Sequence, residues 1–191
     1  MIRVSTYVFF LFFLFRPVAA ACWQGKVVRV ADGDTVVVER IGGDRAGERV
    51  TIRLHGIDAP ELGSRNKPSQ PYCGTSARFL GELLQDRDVV VMDMGYDKYS
   101  RTIGAVMTVP DGRIAQEELL RAGLAWVYAK YCRGCDQWRE LQRDARRERL
   151  GLWGDDAALP PWEWRKMVRE NGRAVPETPR LKEARGRAAR E

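Results

Sequence analysis

The chain has 191 residues, with 32 Lys and Arg against 26 Asp and Glu, a net charge of +6 and a single histidine. One histidine excludes two-histidine zinc sites and paired-histidine nucleases. A serine triad would need His55 as its base, yet that residue sits at the end of a predicted strand, where a structural role fits better. The basic balance suits a polyanionic partner such as nucleic acid.

Met1-Ile2-Arg3 is a short cationic start, Tyr7 to Phe15 an unbroken apolar run, and Arg16-Pro17 closes it before Val18-Ala19-Ala20-Ala21. This pattern predicts a cleaved signal peptide over 1–21. A spanning helix needs about 20 apolar residues, and Arg16 stops the run short of that. The protein is therefore expected to be exported, periplasmic or secreted. Ala19-Ala20-Ala21-Cys22 loosely resembles a lipoprotein cleavage site, but Ala19 is not the usual larger aliphatic residue. Lipidation of Cys22 is the less favoured reading, and without it no stable membrane partner is expected.

Gln24 to Val30 alternates as a strand, Asp32-Gly33-Asp34 is a turn signal, and the β-branched Thr35 to Val38 forms a second strand. Gly42-Gly43-Asp44 ends it, and Val50 to Leu54 alternates again. Three short strands joined by tight turns read as an antiparallel meander. Ala77, Leu80 and Leu84 share a helical face within Ser76 to Leu84. Val89 to Met92 and Thr102 to Val109 are the fourth and fifth strands. Ile114 to Arg121 and a segment from Trp138 to about Leu150 complete a set of three helices. Five short strands interleaved with helices imply an α+β domain, residues 22–165, whose sheet closes into a small barrel. From 166 to 191 the chain is charged, carries Pro176 and Pro179, and has few large apolar residues. Such a segment reads as a disordered basic tail.

Cys22, Cys73, Cys132 and Cys135 fit an oxidising compartment, and sequence leaves their three possible pairings open. Cys132 could close on Cys135, leaving Cys22 with Cys73. One CxxC without nearby histidine makes a poor zinc site, and the motif does not open a helix inside a βαβ unit as a redox protein would require.

The remaining chemistry lies in carboxylates and arginines. Asp32 and Asp34 bracket Gly33, and Asp58-Ala59-Pro60-Glu61 follows the third strand, stiffened by its proline. Carboxylates from two such loops, completed by carbonyls and waters, suit a hard cation, and calcium suits an exported protein. Each motif alone is more often a solvated turn. Arg53 lies among apolar neighbours in the third strand, a poor place for an unpartnered charge. Two arginines and a metal would neutralise the charge that builds on a phosphate under attack by water.

Taken in order, the motifs Asp32-Gly33-Asp34-Thr35-Val36, Ile52-Arg53-Leu54 with Asp58-Ala59-Pro60-Glu61, and Asp97-Lys98-Tyr99-Ser100-Arg101 resemble the staphylococcal thermonuclease family. Gly123 to Tyr128, Gly151-Leu152-Trp153 and Pro160-Pro161-Trp162-Glu163-Trp164-Arg165 are similar to the ending of its bacterial exported members. The resemblance spans about residues 24–165. It implies a five-stranded OB-type barrel with three helices and a calcium site on one rim. By that resemblance Asp34, Asp58 and the backbone carbonyl of Ala59 are calcium ligands; the best-known member has threonine where this chain has Ala59. Glu61 orients or deprotonates water, Arg53 and Arg101 hold the phosphate and its transition state, and Lys98, Tyr99 and Tyr131 contact the substrate. The implied activity is calcium-dependent cleavage of DNA and of RNA by a monomer. Single-stranded or breathing regions are preferred, and the ends left are 3′-phosphate and 5′-hydroxyl. The rival reading is a catalytically inactive OB-fold module that binds single strands; loss of Asp34, Arg53, Glu61 or Arg101 would mark it, and all four are present.

Overall fold

A computed structural model describes residues 21–171. Residues 1–20, which hold most of the expected signal peptide, and the chain from 172 onward lie outside the described residues. The architecture is α+β, centred on a closed five-stranded barrel. Its strands are β1 (Ala21–Asp32), β2 (Thr35–Arg40), β3 (Arg49–Leu54), β5 (Asp88–Tyr96) and β6 (Thr102–Thr108), in the order β1-β2-β3-β6-β5. Two residues, β4 (Ile57–Asp58), pair with β7 (Trp126–Val127) as a separate two-stranded ladder.

Strand β1 closes the barrel because it is long enough to serve two neighbours. Its first half pairs with β5 (Cys22↔Met92) and its second half with β2 (Val30↔Val36). Register shifts between Val27 and Arg29 and between Val30 and Asp32 bend it on the way. The first three strands form the expected antiparallel meander, and β3 then runs parallel to β6 with Arg53 opposite Ile103.

Alternation along the strands decides which side chains meet. Val27, Val36, Val38, Ile52, Leu54, Val89, Val91 and Val106 fill the barrel, each at most 1% exposed. They pack with Leu80 and Leu84 of α1 (Cys73–Leu84) and with Leu119 and Leu120 of α2 (Ala115–Arg121). Full burial of each such side chain contributes about 1.5–3 kcal/mol. Because Ile52 and Leu54 take the inward positions of β3, Arg53 is directed to the outer face, which resolves the apparent conflict of a charge in an apolar strand.

Helix α3 (Asp136–Arg147) stops short of Leu150, with Arg149 at φ 56° turning the chain. The turn brings Leu150 against Gly123, whose own φ is +66° and where an added Cβ would collide with the Leu150 carbonyl. Cys132 and Cys135 form a disulfide, Cα–Cα 5.6 Å, and no bond joins Cys22 to Cys73.

A fourth helix, α4 (Pro161–Asn171), was not expected, and it runs six residues past the boundary drawn at 165. Charge density in Arg165 to Asn171 concealed it. Pro161 suits the first helical turn, and Pro161, Trp164 and Val168 form the face turned to the body at i, i+3 and i+7 while Lys166 and Glu170 face solvent. Among the described residues no helix is long and apolar enough to cross a membrane.

Candidate active site

The tight β1–β2 turn presents Asp34, and the short β4 presents Asp58. Gly33 lets these two segments touch: a Cβ there would lie 2.8 Å from both the Ala59 and Ser76 Cβ atoms. Asp34 is fixed from two sides. Its Oδ2 accepts the Ala59 N–H at 2.8 Å, and its Oδ1 accepts the Thr35 hydroxyl at 3.1 Å. Asp58 is wholly buried.

Arg53 reaches from β3 to both carboxylates. Its Nη2 donates to Asp58 Oδ1 at 2.7 Å, and its Nη1 forms an ion pair with Asp34. Burial opposes the Arg53 charge, but attraction from Asp34 and then Asp58 outweighs it and raises the pKa. Asp58 shows the reverse balance. Burial, the largest influence, raises its pKa, helped by repulsion from Asp34, although Arg165 and Arg53 pull it down. Asp32 accepts the Asp34 N–H at 3.0 Å. Burial and then the Asp34 charge push its carboxyl up to about 7.

Glu61 follows on the outgoing loop, partly exposed. Gln70 locks that loop: its Oε1 accepts the Glu61 N–H at 3.1 Å, and its own backbone N–H donates to the Glu61 carbonyl at 2.9 Å. The Gln70 side chain also donates to the Leu159 carbonyl at 2.7 Å, just before α4.

The structure thus gathers Asp34, Arg53, Asp58, Ala59 and Glu61 on one rim. Lys98 and Tyr99 lie on the β5–β6 turn, and Arg101 directly precedes β6, whose Thr102 pairs with Ile52, the neighbour of Arg53. Asp97 holds Arg101 there, its Oδ2 accepting Nε at 2.8 Å and its Oδ1 the backbone N–H at 3.0 Å. Lys98 Nζ lies 4.8 Å from the Tyr99 ring, and both tyrosine and lysine are open to solvent. This turn borders a groove of about 320 Å³ that also takes in Arg45, Arg49 and Tyr96. Tyr131 belongs to a different cluster. It packs edge-on against Tyr128, which stacks on Trp162 with centroids 5.1 Å apart. His55 tilts against Trp138, and burial lowers its pKa, consistent with a structural place.

Sequence reasoning missed Arg165 as a site residue. Its Nη2 donates to Asp58 Oδ2 at 2.7 Å, its Nη1 to Asp58 Oδ1 at 3.2 Å, and Nη1 also contacts Glu61. Burial works against this charge, yet hydrogen bonding and attraction from Asp58 and Glu61 raise its pKa. The available signal was its position directly after Trp164, which is 4% exposed and anchors the helix.

Comparison with known proteins places the chain in a family. The family model "Staphylococcal nuclease homologue" matches residues 51–155. An endonuclease of Escherichia coli O157:H7, otherwise uncharacterised, is 38% identical over 156 residues, covering 81% of this chain and 93% of its own length. The micrococcal nuclease of Shigella flexneri is 35% identical over 158 residues, covering 78% and 83%. A probable endonuclease of Komagataella phaffii is 29% identical over 172 residues, covering 76% and 75%.

The chain belongs to the staphylococcal nuclease homologue family. It is a nuclease, a phosphodiester hydrolase acting on nucleic acid.

A metal is implied by the family, and the donor chemistry fits one. Asp32, Asp34 and Asp58 bring three carboxyl groups into one poorly solvated rim, and burial raises the pKa of Asp32 and of Asp58, so added positive charge there is favourable. All the donors are oxygens, which suits calcium rather than a soft metal. Among the described residues no three His, Cys, Asp or Glu side chains are grouped so that they could hold a metal ion by themselves. Backbone carbonyls and waters would therefore complete the coordination.

Proposed function

We propose that this protein is an exported, calcium-dependent nuclease that cleaves DNA and RNA, preferring single-stranded or breathing regions and leaving 3′-phosphate and 5′-hydroxyl ends. The observation that carries the reading is the convergence of Asp34, Arg53, Asp58 and Glu61 on one rim. Asp34, Asp58 and the Ala59 carbonyl would hold calcium, which when bound would supply positive charge to offset that of the phosphate under attack.

The chain's own groups do the remaining work. Glu61 takes a proton from water as the water oxygen bonds to phosphorus, a contribution of about 10²–10⁴ in rate. Arg53 and Arg101 offer planar forks to the phosphate oxygens, each worth about 10²–10³ as charge builds. The P–O5′ bond breaks, the departing oxygen is protonated, and the phosphate remains on the 3′ side. Tyr99 and Lys98 meet the adjoining nucleotide. The groove beyond them, with Arg45, Arg49 and exposed Tyr96, is the path of an unpaired strand, where bases stack and phosphates pair. The Cys132–Cys135 disulfide supports export to an oxidising compartment.

The test is incubation of the purified protein with single-stranded DNA in calcium or in EGTA, alongside Glu61→Ala. Calcium-dependent cleavage that leaves 3′-phosphate ends and collapses in the variant is the expected result. Tight binding with no cleavage in any divalent metal would make the protein a binding module instead.

A further inference from the structure

Arg165 takes no part in the chemistry above, yet it contacts two of its carboxylates directly. The guanidinium forks onto both oxygens of Asp58, at 2.7 Å and 3.2 Å, and reaches Glu61 with the same Nη1. It arrives from 107 residues away in sequence. An exposed salt bridge of a flexible side chain would carry little meaning, but this pair is different in two respects. Asp58 has no exposed surface, and α4 is pinned on either side of its first turn by buried Trp164 and by Trp162 stacked on Tyr128. The guanidinium is therefore a fixed part of the rim.

We propose that Arg165 is a positioning residue and internal counter-ion of this site, holding the Glu61 carboxylate beside Asp58 and opposing cation binding at Asp58. The inference rests on the calcium-dependent nuclease reading. Two consequences follow with opposite signs. Neutralising Arg165 removes a positive charge in contact with a calcium carboxylate, so calcium binds more tightly. The same change frees Glu61 to leave its place, so turnover falls. A residue that merely held the fold together would weaken both.

The experiment measures calcium affinity by titration calorimetry without nucleic acid, and kcat and KM on single-stranded DNA, for wild type, Arg165→Gln and Arg165→Lys. Arg165→Gln is expected to bind calcium roughly tenfold more tightly, the loss of one nearby charge at intermediate dielectric. Its kcat is expected to fall on the order of 10²-fold, the scale of a small misplacement of a reacting group, with KM little changed. Arg165→Lys keeps the charge but not the fork, so calcium affinity stays near wild type while kcat is only partly restored. Unchanged or weaker calcium binding by Arg165→Gln overturns the proposal, as does the absence of calcium binding by every form, or a kcat equal to wild type. If Arg165→Gln fails to fold, Arg165→Lys decides alone: retained calcium affinity with reduced kcat supports the assignment, and loss of both or a kcat equal to wild type overturns it. A wild type that cleaves nothing while Arg165→Gln still gains calcium affinity defeats the nuclease reading and leaves the counter-ion in place.

Discussion

Arg53 Nη2 lies 2.7 Å from Asp58 Oδ1 while the same guanidinium is ion-paired with Asp34, so one side chain of β3 spans carboxylates from two separate segments. Removing one partner of a buried ion pair leaves the other charges uncompensated, at a cost of about 3–5 kcal/mol. Arg53→Met is therefore expected to destabilise the calcium-free protein by about 3 kcal/mol, the lower end of that range because Arg165 still holds Asp58. Calcium should then raise the stability of the variant more than that of wild type, since it meets carboxylates that lack a counter-charge. Urea denaturation in EGTA and in calcium checks this, and equal calcium-induced shifts in the two proteins would count against it. Activity in the variant should fall by about 10²–10³, the loss of one transition-state donor.

The neighbouring Asp32 gives the site a pH dependence. Its folded pKa of about 7 is raised above the ordinary carboxylate value of 3.8, first by burial and then by Asp34, with Arg53 opposing. Between those values the folded state holds a proton that the unfolded state releases. The stabilising contribution is thus complete below about pH 4 and is lost as pH rises through about 7. In EGTA, the denaturation midpoint should drop between pH 5 and pH 8. Asp32→Asn keeps an oxygen to accept the Asp34 N–H and removes the charge, so at pH 8 its Tm is expected to exceed wild type by about 4 °C. A wild-type midpoint that is flat over this interval would contradict the prediction.

Much of this rim was legible because its parts are local. Asp34 follows a Gly-containing turn, Arg53 sits in a β-branched alternation, and Glu61 follows a proline that stiffens its loop; each needs only short-range rules. The five barrel strands were legible for the same reason, since period-two alternation marks a half-buried face. What escaped reading depends on contacts across long stretches of chain. Strands β4 and β7 have two residues each, too few to show a period, and exist because Ile57 pairs with Val127. Helix α4 hides its apolar face among charges, and Arg165 gains its meaning only when Trp164 docks. Gln70 gave no sign at all, being a lone amide in a polar loop.

That amide nevertheless ties the base to the C-terminal helix. Gln70 is 3% exposed and bridges the Glu61 N–H and the Leu159 carbonyl. Gln70→Ala leaves both groups without this partner, at a cost of about 1–3 kcal/mol each where water does not replace it. The expected kinetic result is a kcat reduced about tenfold with KM near wild type, because the Glu61 backbone is loosened while the substrate groove is untouched. Steady-state kinetics on an oligonucleotide separates the two constants. A change confined to KM would show that Gln70 acts on binding and not on the base.

The groove beside Tyr99 makes a last prediction, one independent of catalysis. Arg45 is paired with Glu48 at 2.7 Å and Arg49 with Glu39 at 2.9 Å, both largely open to water. Such exposed pairs are weak, screened by water and salt, so either arginine is easily drawn to a phosphate. Arg40 differs, lying 3.9 Å over the Trp23 ring, and is committed to the barrel. If a single strand follows this groove, each arginine lost should flatten the salt dependence of binding by about 0.7 in the log–log slope. Arg45→Ala with Arg49→Ala together should flatten it by about 1.4. Tyr96→Ala should instead weaken binding by about 1–3 kcal/mol, the loss of one stacked base, with the slope preserved. Fluorescence anisotropy of labelled single-stranded DNA in EGTA reads both quantities without cleavage. The two classes of variant must separate, since charge and stacking respond differently to salt. If the double arginine variant keeps the wild-type slope, the strand takes another route from Tyr99, whatever the enzyme's rate.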